Sequence, residues 1–249
     1  MPSRAENRAQ WSEHDWPQGG DEWSLGWGSS RTLWHATILP RIQFLLPARS
    51  LLEIAPGFGR VTAFLLPHCE RYVGVDLTPR CIEACRARFG GEAKARFALN
   101  DGHSMGVIDD ASIDLAVSWD SLVHADVGVL ASYCRELARK LVPGGCAFLH
   151  HSNLGAFARH EPELANPHWR DTGMSAELLR RFAAEAQLEV DAQELVQWGS
   201  PVASDCFSWL RRRGPGEEAG RSELRTHLSF AAEIEQAGWF QRAPGRGQS

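Results

Sequence analysis

Between Ser50 and His150, short apolar runs alternate with amphipathic stretches, and this alternation limits the fold more than any other feature of the chain. Ser50–Ala55 reads as a strand that stops at Pro56-Gly57, and a helical stretch follows from Arg60 to about His68. Arg71–Leu77, Ala95–Leu99, Ile113–Trp119 and Cys146–His150 read as the next four strands. Pro79–Phe89 puts Ile82, Cys85 and Phe89 on one helical face, and the amphipathic Val129–Leu141 is stopped by Pro143-Gly144-Gly145. Such alternation gives a parallel sheet covered by helices on both faces. Ser152–Thr172 has no clear period and is expected to be a long, lid-like connection. Ser175 then caps a helix over Ala176–Gln187, and Glu189–Val196 and Val202–Leu210 pair as two strands near the Gly199-Ser200-Pro201 turn.

With 249 residues, one domain is expected. A net charge of -5 argues against a surface that tracks phosphates, and only Arg211-Arg212-Arg213 forms a dense basic cluster. No nucleic-acid partner is expected. No apolar run nears the about 18 residues a bilayer span needs, and Met1–Gln10 lacks a secretion-signal core. The cytoplasm is therefore the expected location, with no membrane partner. The six cysteines form no CxxC pair and read as small buried residues. Oligomeric state is left open, a homodimer being admissible.

The segment before Ser50 holds five of the ten tryptophans, at positions 11, 16, 23, 27 and 34, with no single period. Two readings stand: an arm stapled to the sheet by aromatic burial, and a cap over a ligand.

Glu53-Ile54-Ala55-Pro56-Gly57-Phe58-Gly59-Arg60 turns from the first strand into a helix. Glycines there permit a sharp turn and close approach of a ligand, in the crevice where doubly wound sheets bind their ligands. Asp76 ends the second strand, where a carboxylate can accept hydrogen bonds from both hydroxyls of a ribose. Asp101-Gly102 follows the third strand, and that carboxylate can accept from an adenine amino group. The dinucleotide fingerprint GxGxxG fails here, because Thr62 holds the third glycine position.

These motifs, with Ile113-Asp114 and Leu141-Val142-Pro143-Gly144-Gly145, resemble the signature of class I S-adenosylmethionine (SAM)-dependent methyltransferases over Leu51 to about Leu149. The resemblance implies a doubly wound, Rossmann-like α/β sheet of seven strands, the last antiparallel, here with an N-terminal helical cap. Within one domain it divides the chain into a cap (1–49), a SAM-binding core (50–151), a lid-like insertion (152–173), the C-terminal part of the sheet (174–213) and a C-terminal helix and tail (214–249). The cofactor implied is SAM, contacted by Glu53, Ala55, Gly57, Gly59, Arg60, Asp76, Leu77, Asp101, Gly102 and Ser118. Gly57 and Gly59 would line the methionine portion, Asp76 the ribose, Asp101 and Gly102 the adenine, and Ser118 would lie near the sulfonium.

Methyl transfer needs an acceptor lone pair aligned on the methyl carbon, and an alcohol benefits from a general base or a metal. Trp119–Asp126 and Leu149–Asn153 begin at the ends of strands four and five and hold three of the ten histidines. His124 or His151 is expected as the base, with Asp120 orienting it. No metal is expected; the alternative is magnesium or manganese on Asp120, His124, His150 and Asp205. Ser118–Asp126, His150–Gly155, His168-Trp169-Arg170 and Asp205–Ser208 together resemble bacterial sugar O-methyltransferases of polysaccharide and natural-product pathways. The substrate implied is a sugar nucleotide or glycosylated metabolite. The alternatives are a small-molecule N- or C-methyltransferase, a non-catalytic SAM-binding protein and an NAD-binding Rossmann protein.

Overall fold

The computed structural model describes residues 3–157, 166, 169–218 and 220–242. Five parallel strands, β1 (Ala48–Ile54), β2 (Cys69–Asp76), β3 (Ala95–Leu99), β4 (Ile113–Leu122) and β5 (Leu141–Ser152), form one side of a single sheet. β6 (Glu189–Val196), β7 (Asp205–Arg211) and β8 (Glu223–His227) complete it in the order β3-β2-β1-β4-β5-β7-β6-β8. The chain runs outward from β1 through β2 to β3, then returns to place β4 on the other side of β1. That reversal opens a crevice at the carboxyl ends of β1 and β4.

Adjacent residues of the central strands face opposite ways, and both sides are buried. Leu51, Leu115 and Phe148 join one core layer, with Trp34, Tyr72 and Phe207. Leu52, Ala116 and Leu149 join the other, with Leu130, Leu137 and Phe182. The helices α1 (Arg4–Glu13), α2 (Ser30–Leu33), α3 (Leu39–Ile42), α4 (Thr62–Leu65), α5 (Pro79–Phe89), α6 (Val127–Lys140), α7 (Ala176–Glu185) and α8 (Phe230–Arg242) cover the two faces and the crevice. Asp126 caps α6 by accepting from Val129 N–H at 2.9 Å, and Ser175 caps α7 by accepting from Leu178 N–H at 3.1 Å.

The sheet has eight strands rather than seven, and the antiparallel strand is β7, inserted between β5 and β6. β8 pairs parallel to β6 at the sheet edge, in a stretch expected to be helix and tail. Glu-Leu-Arg-Thr-His is exposed along most of its length, so burial left no apolar alternation to mark it. The helical stretch after Arg60 is shorter than expected: α4 covers four residues and a 3-10 turn continues to His68. The tail from Ala243, and Pro162 and His168 in the long connection, lie outside the described residues.

The tryptophan-rich segment divides in two. Trp27 and Trp34 are core residues, and Trp27 Nε1–H donates to Thr37 Oγ1 at 2.8 Å. Trp11, Trp16 and Trp23 line the crevice without joining either core layer, and Trp27 reaches it from the core. α1 buries none of its own residues, yet three contacts lay it across the opening. Asn7 Nδ2–H donates to the His124 carbonyl at 2.8 Å, Arg80 Nη1 donates to the His14 carbonyl at 2.8 Å, and Arg4 Nη1 reaches the Asp101 carbonyl at 3.4 Å. The arm therefore bridges the loops after β3 and β4 and the start of α5.

Candidate active site

The crevice is a cavity of about 560 Å³, within the usual range for small-molecule sites. Glu53, Ala55, Gly57, Arg60, Asp76, Leu77, Gly102, Asp120 and His124 line it, as do Asn100, Tyr133 and the arm.

At the floor, Asp76 is almost wholly buried and accepts from Gly57 N–H at 3.2 Å through Oδ2 and from Thr78 N–H at 2.8 Å through Oδ1. Burial pushes its pKa up to about 6. Glu53 accepts from Thr62 Oγ1 at 2.6 Å and from the Tyr72 hydroxyl, and burial raises it to about 7. Thr62, at the position where a dinucleotide loop has its third glycine, thus ties the turn to the first strand.

Gly57 is left-handed (φ 58°), and a Cβ there would come within 3.2 Å of the Trp16 ring. Trp16 stacks on Phe58 with centroids 4.6 Å apart and planes 13° apart. A side chain at 57 would therefore be strained by the left-handed backbone and would press on the Trp16 ring. Gly59 (φ 84°) has a different partner: its Cβ would collide with Phe89 of α5. Gly59 permits helix packing and does not line the cavity, which corrects its expected place at the methionine portion.

Three further expectations change. Asp101 is exposed and points into its own loop, its Oδ1 accepting from His103 N–H at 2.8 Å and Ser104 N–H at 2.6 Å. Those bonds hold its pKa below the ordinary value, led by the one from Ser104. Its neighbours Asn100 and Gly102 face the cavity instead. Ser118 is fully buried and donates to the Ile54 carbonyl at 2.9 Å, bracing β4 on β1 away from the cavity. His151 is also fully buried, with Nδ1 2.8 Å from the Ser152 carbonyl and Nε2 2.8 Å from Ser208 Oγ. Burial pushes it down to about 4. Both nitrogens are engaged on the side of the strand away from the cavity, so His151 cannot reach an acceptor there.

His124 is placed differently. Its Nδ1 lies 3.1 Å from the Trp169 carbonyl. A carbonyl only accepts, so Nδ1 carries the hydrogen and Nε2 keeps a lone pair. Burial lowers its pKa below the ordinary value, so the ring is neutral at physiological pH. Asp120 does not orient His124. Its Oδ2 pairs with Arg60 Nη2 at 3.0 Å, and its backbone N–H donates to His150 Nδ1 at 3.0 Å. Arg60 Nη1 also reaches Ser24 Oγ of the arm at 3.3 Å, so one guanidinium joins the glycine loop, the end of β4 and the arm. Among the described residues, five that are not glycine have a left-handed backbone, and three of them, Ala55, Asp120 and Trp169, line this cavity. Such strain collects at functional sites.

Behind these residues the cavity continues between Trp27, Trp119, Trp198 and Ile234. Its charged groups pair among themselves: Arg60 with Asp120, and Arg170 with Asp205 at 2.7 Å. The buried Trp119 Nε1, Trp16 Nε1 and His14 Nε2 belong to lining residues and have no hydrogen-bond partner among the described residues. The sequence held no signal for Trp198, Ile234 or Tyr133 as wall residues, since each comes from an element remote from the glycine loop, whereas Arg170 stands in the His168-Trp169-Arg170 motif of the resemblance to sugar O-methyltransferases. Among the described residues, no group of three or more His, Cys, Asp or Glu is placed to hold a metal ion. His150 and Asp205, two of the four ligands considered, are hydrogen-bonded to each other at 3.0 Å.

A family described as a methyltransferase domain matches residues 51–145, the stretch that builds the cavity floor. Nodulation protein S of Rhizobium tropici is 27% identical over 126 residues, which are 50% of this chain and 52% of that protein. The chain thus spans about half the length of that curated relative. Among solved structures, N-methyltransferase NodS of Bradyrhizobium japonicum WM9 in complex with S-adenosyl-L-homocysteine is 19% identical with a TM-score of 0.57. The match covers 86% of this chain and all of that one. An S-adenosylmethionine-dependent methyltransferase of Clostridium acetobutylicum is 15% identical, TM-score 0.59, over 75% of this chain and 93% of that one. The architecture is thus the Rossmann-like α/β fold of class I methyltransferases.

Proposed function

We propose that the chain transfers the methyl group of SAM to a hydroxyl of a sugar or glycosylated small molecule, with His124 accepting the proton. The observation that carries this reading is His124 itself: its Nδ1–H is held by a carbonyl, and its ring is neutral at the edge of an aromatic cavity.

The residues present fit the cofactor. Asp76 keeps lone pairs free of Gly57 and Thr78 for two ribose hydroxyls. Asn100, Gly102 and Leu77 border the same end and suit an adenine, and Gly57, Ala55 and Glu53 border the methionine end. The Trp16 and His14 nitrogens have no partner among the described residues, and buried polar atoms without partners call for a ligand group. When bound, SAM supplies an electrophilic methyl on a sulfonium. The chain's own work is to hold the acceptor in line, exclude water beneath the arm and receive the proton at His124 Nε2.

The far end of the cavity favours an uncharged ring. Its charged side chains are already paired, and its tryptophan faces offer apolar surface to the C–H face of a sugar. The likeness to NodS supports a second reading, an amine acceptor. Incubation with SAM and a panel of glycosides, sugar nucleotides and amino sugars, read by mass spectrometry, separates the two by where the CH2 is gained. For the hydroxyl reading, His124→Asn is expected to lower turnover by about 10²–10⁴-fold and leave S-adenosyl-L-homocysteine (SAH) affinity intact. The rate should fall only on the acid side of the ordinary histidine value. A His124→Asn enzyme with full turnover removes the base, and a chain that binds SAH without methylating any acceptor supports the non-catalytic alternative.

A further inference from the structure

Asn166 and Trp169–Asp171 make a dense set of contacts around one left-handed residue. Trp169 has φ 53°, a conformation that costs of order 1–3 kcal/mol outside glycine. Asn166 sustains it from three sides: its carbonyl accepts from Trp169 N–H at 3.3 Å, its Oδ1 from Arg170 N–H at 2.9 Å, and its Nδ2–H donates to the Arg170 carbonyl at 2.7 Å. Arg170 Nε–H is shared by both oxygens of Asp205 on β7, each at 2.7 Å. Asp171 N–H donates to the Val123 carbonyl at 2.8 Å, one residue before His124. The outcome of this geometry is that the Trp169 carbonyl stands opposite His124 Nδ1.

We propose that this segment is a clip, anchored on Asp205, which fixes the tautomer of His124 and so aims its Nε2 lone pair; Arg170 and Asp205 are positioning residues. The proposal deepens the reading of His124 as a base and rests on it for its purpose. Asp205 is a steady anchor. Burial would raise its pKa, yet the hydrogen bond from His150 and the charge of Arg170 hold it below the ordinary value. It also accepts from Ser204 Oγ at 2.6 Å, so its carboxylate is wholly engaged. The charged groups acting on His124 come from three elements, Asp120 at the end of β4, Arg170 in the clip and Asp205 on β7, while Trp11 of the arm covers the ring at 5.1 Å. Among the described residues, the Trp169 carbonyl is the hydrogen-bond partner of Nδ1. Without it, a neutral imidazole exchanges between its two tautomers, and the one that carries its hydrogen on Nε2 has no lone pair there to receive the proton.

The test reads the tautomer and needs no substrate. ¹⁵N-histidine NMR of the full chain, with His124 assigned through the signal lost in His124→Asn, is expected to show one tautomer protonated at Nδ1 at pH 8. Asp205→Asn is expected to turn it into a mixture while circular dichroism stays that of the native fold. Asn166→Ala loosens the same turn without touching the buried ion pair and is expected to give the same mixture; it decides the matter if Asp205→Asn does not fold. A folded variant of either kind in which His124 stays protonated only at Nδ1 overturns the clip. If the tautomer responds as expected but His124→Asn keeps full turnover, the clip stands and the base reading falls.

Discussion

The backbone N–H of Asp120 donates to Nδ1 of His150 at 3.0 Å, and the other nitrogen of that ring lies 3.0 Å from Asp205 Oδ1. Nδ1 therefore carries no hydrogen, and Nε2 carries one for the carboxylate. His150 faces the cavity side of β5, stacked on Trp198, but has no lone pair to offer a substrate. It ties the left-handed Asp120 to the interior of β7 instead. Replacing it with Phe leaves the Asp120 N–H without a partner. The expected loss is about 1–3 kcal/mol of stability, the scale of an unsatisfied buried group. Urea unfolding measures the loss, and the acid limb of the pH–rate profile should remain, because the proposed base is His124. Disappearance of that limb would transfer the base role to His150.

Glu53 connects the floor of the cavity to stability. Its folded pKa is raised by burial from the ordinary 4.5 to about 7. The sign follows from linkage: the folded state binds the proton more tightly, so this contribution is full below the unfolded pKa and is lost as pH rises through about 7. Glu53→Gln, which keeps an acceptor for Thr62 and Tyr72, is expected to flatten the change in ligand-free stability between pH 4 and 7. The difference between the two proteins should approach about 3 kcal/mol by pH 8, with the variant the more stable. Denaturant titrations across that range test it, and parallel curves for the two proteins would show that Glu53 ionises at its ordinary pKa.

Much of this site was legible in the sequence where chemistry follows from local order. Gly57, Asp76 and the β1 turn fall at strand ends, and strand ends fix which groups reach the crevice. Asp101 misled because a carboxylate just past a strand can equally cap its own turn, and the His103 and Ser104 N–H groups were two and three residues away. His151 rather than His150 is the base candidate the sequence offers, and the choice fails because alternation says that neighbours face opposite ways but not which way is the cavity. Ser118 had the right height on β4 but the wrong partner, a carbonyl on β1. Trp198 and Ile234 reach the site only through tertiary packing, which no local pattern encodes. β8 was hidden for the same reason, because an exposed edge strand needs no apolar face.

The arm offers a separable test. Trp27 is a core residue, so a truncation must stop before Asp21. Removing residues 1–17 takes away α1, Trp11 and Trp16 but nothing of the core, because α1 buries none of its own residues. The melting temperature is expected to stay within about 4 °C of the full chain, the upper end of the shift that 1 kcal/mol gives in a domain of this size. SAH should dissociate at least about tenfold faster, equivalent to about 1.4 kcal/mol of lost holding. Stopped-flow displacement gives the rate. An unchanged rate with an unchanged melting temperature would make the arm a bystander, and collapse of the fold would make it a structural staple.

The cofactor reading is most exposed at Asp76. Its carboxylate has a pKa raised to about 6 because it is buried, with the Thr78 and Gly57 N–H groups working against that rise. Ribose hydroxyls donate to the ionised form, so binding must displace any proton the acid holds. Below about pH 6 the site should therefore take up SAH with release of a proton, and affinity should fall as pH falls, approaching about tenfold per unit. Above pH 7 it should be flat. Asp76→Asn should weaken binding at pH 8 by about 1–3 kcal/mol, the scale of hydrogen bonds to a charged group, and should abolish the acid slope. Calorimetry in buffers of different ionisation enthalpy measures the proton release directly. A wild-type protein whose SAH affinity is the same at pH 5 and pH 8, with no proton released, would mean that this carboxylate does not hold the ligand. The ribose would then have to be sought beside Asn100 and Tyr133, which face the same end of the cavity and are hydrogen-bonded to each other at 3.1 Å.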